Sequence, residues 1–554
     1  MPKSLLTAIS VLDSLVRAGM RHLLISPGSR NAPLAYAAAA LDRAGVLTAH
    51  VRIDERSAAF TALGIAKTIE KPVGIVVTSG SAVGELLPAV MEAYHSGIPL
   101  VIISADRPGY LRGTGANQTT DQAGMLSNFV RAQADLTSYP EDEAGQQTQD
   151  FSTALAVAFG RRSDNWNFPS GQPVGPVHLN LAFDTPLSPS PQLASYYRRW
   201  AQTLTDLDQP PLVALGDADW VDWHHLDSAT LPERKTLVIA GDGGGPLAQR
   251  FAQKHRLPLL AEPSSGARFS RYAINAYRDL LPHWQGEKIE RVVLFGHPTL
   301  SRSVTALLND PSLEKALYMK QQASWFVPGR RQEKTLASLL ELAQFAGRGS
   351  QGWLEAWQEA GDRRRQDLLG QVKKFRESAI NEGRAAGMSL ALAAWQQAVA
   401  NQEILVCGSS NIIRDLDRIA PASNQAPRVF ASRGLAGIDG MLATAAGVSL
   451  ASFNRRGGSV TPVRLLCGDL TFLHDAMSMN IGPLEQLPSV KVDVFDDGGG
   501  GIFAGLEHGQ LLDQPDFSQD VKRFMSTPHA VDIKKLAQVF ADKSGFEVRV
   551  HSGS

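Results

Sequence analysis

Cysteine is close to absent: Cys407 and Cys467 are the only two in 554 residues, and each ends an apolar run. They read as buried thiols, which excludes a disulfide framework, an iron–sulfur site and a cysteine-rich zinc site. A surplus of either charge is missing too. Fifty-four basic residues face 55 acidic ones, giving no reason to expect nucleic acid or an anionic membrane as partner. The most apolar region, residues 73–105, is broken by Glu85, Glu92, His95 and glycines, so it is no bilayer span. Met1 to Met20 carries Lys3 and is interrupted by Asp13 and Arg17, an amphipathic helix rather than a signal peptide. These absences lead to the expectation of a cytoplasmic globular protein, and the chain is too long for a single core.

What is present is a repeated alternation of helix and strand patterns. Arg21–Ile25, His50–Ile53, Val73–Val77 and Leu100–Ile103 are short apolar runs, each ending in polar or glycine-bearing turns. Buried strands of this kind with helices between them predict a doubly wound parallel sheet. A Pro/Ser-rich stretch, 184–191, reads as a linker. After it, a tryptophan-containing polar region and strands at Thr236–Ala240, Leu257–Ala261 and Arg291–Phe295 predict a smaller, Rossmann-like middle domain with fewer strands. Residues 353–384, rich in Glu, Arg and Gln, suggest an exposed linker helix. A third segment repeats the first, with strands at Ile404–Cys407, Val429–Ala431, Val463–Cys467 and Val490–Phe495 and a short one near Val548–Val550. The expected α/β organisation is therefore 1–188, 189–350, a linker helix over 351–385, and 386–554.

The stretch from Val463 to Phe503 concentrates the chemistry. Its two strands stop at Gly468-Asp469 and at Asp496-Asp497, and 28 positions separate Asp469 from Asp497. That is the recurrence of neighbouring parallel strand ends, so both carboxylates belong on one sheet edge. Oxygen ligands backed by Gly498 to Gly501 suit a hard cation such as Mg²⁺ holding a diphosphate.

Arg30, Arg107, Arg302, Arg414 and Arg433 each follow a predicted strand beside small residues, an inventory suited to substrates with several carboxylates. Gly241-Asp242-Gly243-Gly244-Gly245 also follows a strand and offers a nucleotide-phosphate turn, the basis of a rival reading as a nucleotide-binding regulator. However, 27 residues beyond Asp242 stands Phe269, with no amide or acid beside it.

The 469-to-497 spacing resembles the fingerprint of thiamine-diphosphate enzymes, with acids where asparagines are usual. Ser26-Pro-Gly-Ser-Arg-Asn-Ala-Pro-Leu34, Asp54-Glu55-Arg56, Thr78-Ser-Gly-Ser-Ala82, Ala105-Asp-Arg-Pro108, Gly115-Ala-Asn-Gln118, Ser432-Arg-Gly-Leu-Ala-Gly-Ile-Asp-Gly440, Gly468-Asp-Leu470 and Gly499-Gly-Gly-Ile-Phe503 together resemble one family. It is the 2-succinyl-5-enolpyruvyl-6-hydroxy-3-cyclohexene-1-carboxylate synthases of menaquinone biosynthesis. The resemblance runs from about Leu5 to about Val531, and the family usually continues past Ser554 with a further strand and helix.

The resemblance implies three doubly wound domains: pyrimidine-binding, middle and diphosphate-binding. It implies Glu55 as the cofactor-activating carboxylate, and Mg²⁺ (or Mn²⁺) on Asp469, Asp497 and the Gly499 carbonyl. Ile438 would prop the bent cofactor, with Ser79, Gly80, Gly468, Leu470 and Ile502 also against it. Ser29, Arg30, Arg107, Asn117, Gln118, Arg302, Ser410, Arg414 and Arg433 would surround the substrates. The implied reaction decarboxylates 2-oxoglutarate and adds the resulting carbanion to isochorismate. A homo-oligomer, dimer or dimer of dimers, with active sites at the subunit interface is expected. The nearest alternative is another thiamine-diphosphate carboligase or a 2-oxo acid decarboxylase.

Overall fold

In the computed structural model, residues 1–137, 146–160, 174–207, 226–319, 323, 326–327, 329–379, 381, 384–454 and 457–552 are described. Most of the tryptophan-containing polar region expected to open the second domain lies outside them. Three parallel sheets organise the chain. The first has six strands in the spatial order Thr48–Val51, His22–Ile25, Val73–Val77, Leu100–Asp106, Val177–Ala182, Ala132–Leu136. Every residue of Val73–Val77 and of Leu100–Asp106 is buried, as expected of strands covered by helices on both faces. Beyond the Pro/Ser stretch the helix Ala194–Gln202 returns to this unit, where Tyr197, Ala201 and Leu204 join its core. Packing of the first domain therefore continues past residue 188.

The middle sheet orders Lys334–Leu336, Glu314–Tyr318, Arg291–Phe295, Thr236–Ala240, Leu259–Ala261. It has five strands against the first sheet's six, fewer as expected, and as many as the third. The two unanticipated strands begin with charged residues, and Lys334–Leu336 is a half-exposed edge, so neither shows an apolar run. The third sheet orders Val429–Phe430, Ile404–Cys407, Val463–Gly468, Val490–Asp496, Phe546–Ser552. The short strand expected near Val548–Val550 is thus its edge.

The charged segment after the middle domain does form one helix, Trp353–Ser378, but it is not an exposed rod. Trp353 and Trp357 are buried, and Trp357 stacks on Trp284 with ring centroids 3.9 Å apart. Farther along, Leu368 and Val372 enter the core of the third domain. The helix therefore fastens two domains by burying one apolar stripe in each. A charged salt-bridge network adds to this junction: Arg268 Nη1 lies 3.0 Å from Asp417 Oδ1, both side chains at most 2% exposed.

Candidate active site

The register of the third sheet builds the site. Val463 pairs with Val490 and Gly468 with Phe495, so the next residues, Asp469 and Asp496, stand side by side at the sheet's end, with Asp497 one step beyond. Asp469 opens a helix, Asp469–Asp475, and is 2% exposed. Its Oδ1 accepts the Leu470 N–H at 2.6 Å and its Oδ2 accepts the Gly499 N–H at 2.7 Å. Two backbone donors thus aim the carboxylate at the turn that carries Asp497. The Asp497 carboxylate lies against backbone, because a Cβ on Gly501 would stand 2.3 Å from its Oδ2. Only glycine permits that approach.

Around these acids lies a cavity of about 190 Å³, lined among others by Ser410, Ile438, Gly468, Leu470 and Ile502. It is smaller than the roughly 300–1,000 Å³ typical of pockets enclosing a whole small molecule, and it suits a diphosphate with its metal. Burial raises the Asp469 carboxyl above the ordinary range, and burial followed by the charge of Asp469 pushes Asp497 up to about 6. Carboxylates that repel one another in a partly dry cleft are stabilised by a divalent cation between them. His529 Nε2 stands 3.1 Å from Asp469 Oδ2 and 3.7 Å from Asp496 Oδ1, a three-residue set able to grip a metal. The donors therefore fit Mg²⁺ or Mn²⁺, with Asp496 and His529 beside Asp469 in addition to the expected Asp497.

The five arginines fall into two groups. Arg107 donates to Ser79 Oγ and, at 3.3 Å, to Gln118 Oε1, while Gly80 donates its N–H to Gln122 Oε1 at 3.0 Å. Arg30 joins this group electrostatically and donates to the Phe183 carbonyl at 2.8 Å. Ser29 and Asn117 are exposed on the neighbouring turns.

The second group lies between the middle and third domains. Ser410, at φ 72°, precedes the helix Asn411–Ile419, and Arg414 one turn on donates to the Ser410 carbonyl at 2.6 Å. Burial, then the charges of Arg278, Arg433 and Arg302, depresses the Arg414 pKa. Arg433 is buried and donates to Thr299 Oγ1 at 2.6 and 2.9 Å, and Arg302 is exposed at the start of its helix, Arg302–Asn309. So many guanidinium groups in one cleft attract carboxylates.

Glu55 begins the helix Glu55–Ile69, where Asp54 caps the Ser57 N–H at 3.0 Å. Burial raises its carboxyl, a backbone hydrogen bond opposes this, and Asp54 and Glu85 add to the rise. Neither Glu55 nor Ser79 nor Gly80 lines the cavity of Asp469; its lining comes entirely from residues 384–503.

Five side chains at the site carried no sequence signal of that role. Glu92 accepts the Gly434 and Leu435 N–H groups, both at 2.8 Å, and anchors the loop that bears Arg433 and Ile438. Arg278, Arg384 and His529 follow no apolar run with a glycine turn of the kind that marked the others, and Glu262, which does follow the run Leu257–Ala261, stands in no motif that assigns it a role. The rival Asp242 turn is bridged to His297, and Lys67 Nζ stands 3.5 Å from its carboxylate. That acid disfavours a phosphate there.

Residues 7–125 match the family model of the thiamine pyrophosphate enzyme N-terminal TPP binding domain. The 2-succinyl-5-enolpyruvyl-6-hydroxy-3-cyclohexene-1-carboxylate synthase of Renibacterium salmoninarum is 44% identical, the match covering 97% of this chain and 89% of that protein. Proteins of the same name from Kineococcus radiotolerans and Rhodococcus jostii are 41% and 36% identical, each over 96% of this chain and about 90% of their own length. Among solved structures, benzoylformate decarboxylase from Polynucleobacter necessarius superposes with a TM-score of 0.63 at 17% identity, over 100% of this chain and 98% of that one. That likeness is one of fold.

Proposed function

The chain belongs to the 2-succinyl-5-enolpyruvyl-6-hydroxy-3-cyclohexene-1-carboxylate synthase family, and from that premise we propose how its residues share out the reaction. It is a thiamine-diphosphate-dependent transferase of menaquinone biosynthesis, joining 2-oxoglutarate to isochorismate with loss of CO₂. A different carboligase or a simple 2-oxo acid decarboxylase is not favoured. The synthase relatives match nearly the whole chain at up to 44% identity, whereas the decarboxylase likeness concerns the fold alone.

Thiamine diphosphate, when bound, supplies the nucleophilic carbon for decarboxylation and carbon–carbon bond formation. Glu55 holds the proton on the pyrimidine N1′ atom, a task favoured by the raised proton affinity of its carboxyl. Asp469, Asp497 and the Gly499 carbonyl hold Mg²⁺ or Mn²⁺ against the diphosphate, and Ile438 supports the bent cofactor. Ser79, Gly80, Gly468, Leu470 and Ile502 complete its surroundings. Arg414, beside Ser410, takes the distal carboxylate of 2-oxoglutarate. Arg302 and Arg433 from the same cleft, with Ser29, Arg30, Arg107, Asn117 and Gln118 from the first domain, receive the remaining carboxylates and the ring. Since Glu55 and the metal cavity form separate half-sites, the working enzyme is a cytoplasmic homo-oligomer in which two chains share each site.

The observation that carries the reading is the register that brings Asp469, Asp496 and Asp497 to one glycine-lined sheet edge. Its test is a melting experiment joined to turnover. Thiamine diphosphate with Mg²⁺ at 100 times its dissociation constant should stabilise the protein by about 2.7 kcal/mol, and CO₂ release should be stimulated by isochorismate. Stabilisation by a dinucleotide but not by thiamine diphosphate would overturn it.

A further inference from the structure

Arg384 is the one basic side chain on the described lining of the Asp469 cavity. Its backbone is held at φ 67°, a left-handed conformation unusual for arginine. Behind it stands Asp415, 2% exposed, which accepts from Nε at 3.0 Å and from Nη2 at 2.8 Å. Gly387 makes room for that clamp, because a Cβ there would lie 2.2 Å from Asp415 Oδ2. The guanidinium carbon sits 5.7 Å from the centroid of the Phe495 ring. Its remaining nitrogen, Nη1, faces the cavity and stands 3.7 Å from Asp497 Oδ2. Burial works against the charge of Arg384, but Asp415 and then Asp497 more than compensate.

The charges show what this arrangement is for. A metal–diphosphate complex is already anionic, and Asp469 with Asp497 adds two carboxylates, one of them standing where a neutral amide would serve equally well as an oxygen ligand. We propose that Arg384, locked from behind by Asp415, cancels the charge of Asp497 and binds the cofactor's diphosphate, so that Arg384 and Asp497 act as a coupled pair. The side chain is preorganised, because Asp415 fixes two nitrogens of the rigid planar guanidinium and so places Nη1, whose N–H groups are left for Asp497 and the anion. This inference rests on the cofactor reading above and adds a ligand to it.

The test is a double-mutant cycle read by calorimetric titration of thiamine diphosphate at saturating Mg²⁺, with no turnover involved. In the wild-type background Arg384→Gln should weaken binding by about tenfold or more, a loss expected of a charge-assisted contact. In an Asp497→Asn background the same change should still weaken binding, through the lost diphosphate contact, but by a factor about threefold or more smaller than in the wild-type background. Arg384→Lys keeps the charge but not the two-point clamp, and should fall between wild type and Arg384→Gln; it also serves if the glutamine variant does not fold. Equal losses in both backgrounds, or wild-type affinity in Arg384→Gln, would overturn the pairing while leaving the cofactor reading intact. Failure of the wild-type protein itself to bind thiamine diphosphate would overturn both.

Discussion

Glu262 shows how much a single carboxyl can decide at this site. It follows the strand Leu259–Ala261, is 1% exposed, and its Oε1 accepts the Thr299 N–H at 2.7 Å and the Leu300 N–H at 2.8 Å. Thr299 in turn receives Arg433, and the adjacent Ser301 caps the helix that begins with Arg302. Glu262 thus sets the turn on which two of the proposed substrate arginines depend. Burial pushes its carboxyl up to about 8 from an ordinary 4.5, with its backbone hydrogen bonds and Arg433 opposing. The folded protein therefore binds a proton that the unfolded chain has released between those two pH values, and stability falls as pH rises through that window. Full stability from this group is present below the unfolded value and is lost above about 8. Glu262→Gln, neutral at every pH and still offering an acceptor oxygen, should flatten that fall, an effect of at most a few kcal/mol. Urea midpoints measured from mildly acidic to mildly alkaline pH check this; parallel curves for the two proteins would mean Glu262 is ionised throughout. Such residues mark the limit of what the sequence reveals. Asp469 and Asp497 were legible because strand spacing places them, and Arg414 because it lies one helical turn past a strand-end serine. Glu262, Arg384 and His529 became visible only through tertiary contacts between segments far apart in the chain.

Among the elements, the pair Glu55–Ile69 and Met441–Leu450 ties the first domain to the third. All ten residues of Met441–Leu450 are buried, and the helices touch through backbone. A Cβ on Gly447 would stand 2.1 Å from the Thr61 carbonyl oxygen, and one on Gly64 2.2 Å from that of Thr444. Helices pack this closely only through residues without side chains. Gly447→Ala forces them apart, so it should cost about 1–3 kcal/mol, the usual price of overpacking. Because Glu55 begins one helix and the Ile438 loop precedes the other, affinity for thiamine diphosphate should fall too. An unchanged melting temperature in Gly447→Ala would show that the contact has slack. Elements with strong local patterns were legible: the strands Val73–Val77, Thr236–Ala240 and Arg291–Phe295 fall where the apolar runs stop. Glu314–Tyr318 and Lys334–Leu336 carry no such signal, because their charged residues conceal the pattern that pairing with a neighbour makes visible. The helix Trp353–Ser378 lies where the sequence places it but buries a narrow apolar stripe, which in a charged helix contributes little to composition.

For the whole molecule, the decisive observation is that Glu55 does not line the Asp469 cavity, which on the proposed reading makes them two half-sites of one chain. The Asp469 cavity is lined by residues 384–503 alone, while Glu55, Ser79 and Arg107 stand in the first domain. No described helix is long and apolar enough to cross a membrane. If two chains meet about a twofold axis, each site takes Glu55 from one chain and Asp469 from its partner. That geometry makes a prediction that no arrangement within a single chain shares. Glu55→Gln and Asp469→Ala should each be inactive alone, the first lacking the group that protonates the pyrimidine, the second a metal ligand. Unfolded together in equal amounts and refolded, half of the dimers are mixed, and each mixed dimer holds one site damaged twice and one site wholly intact. Activity should therefore return to about a quarter of the wild-type value for random assortment into twofold dimers. Sites built within one chain would recover nothing, because every chain in the mixture carries one lesion. Refolding each variant separately and then mixing without unfolding separates slow subunit exchange from failure to complement: activity that appears only after joint refolding means that the chains share their sites and exchange slowly.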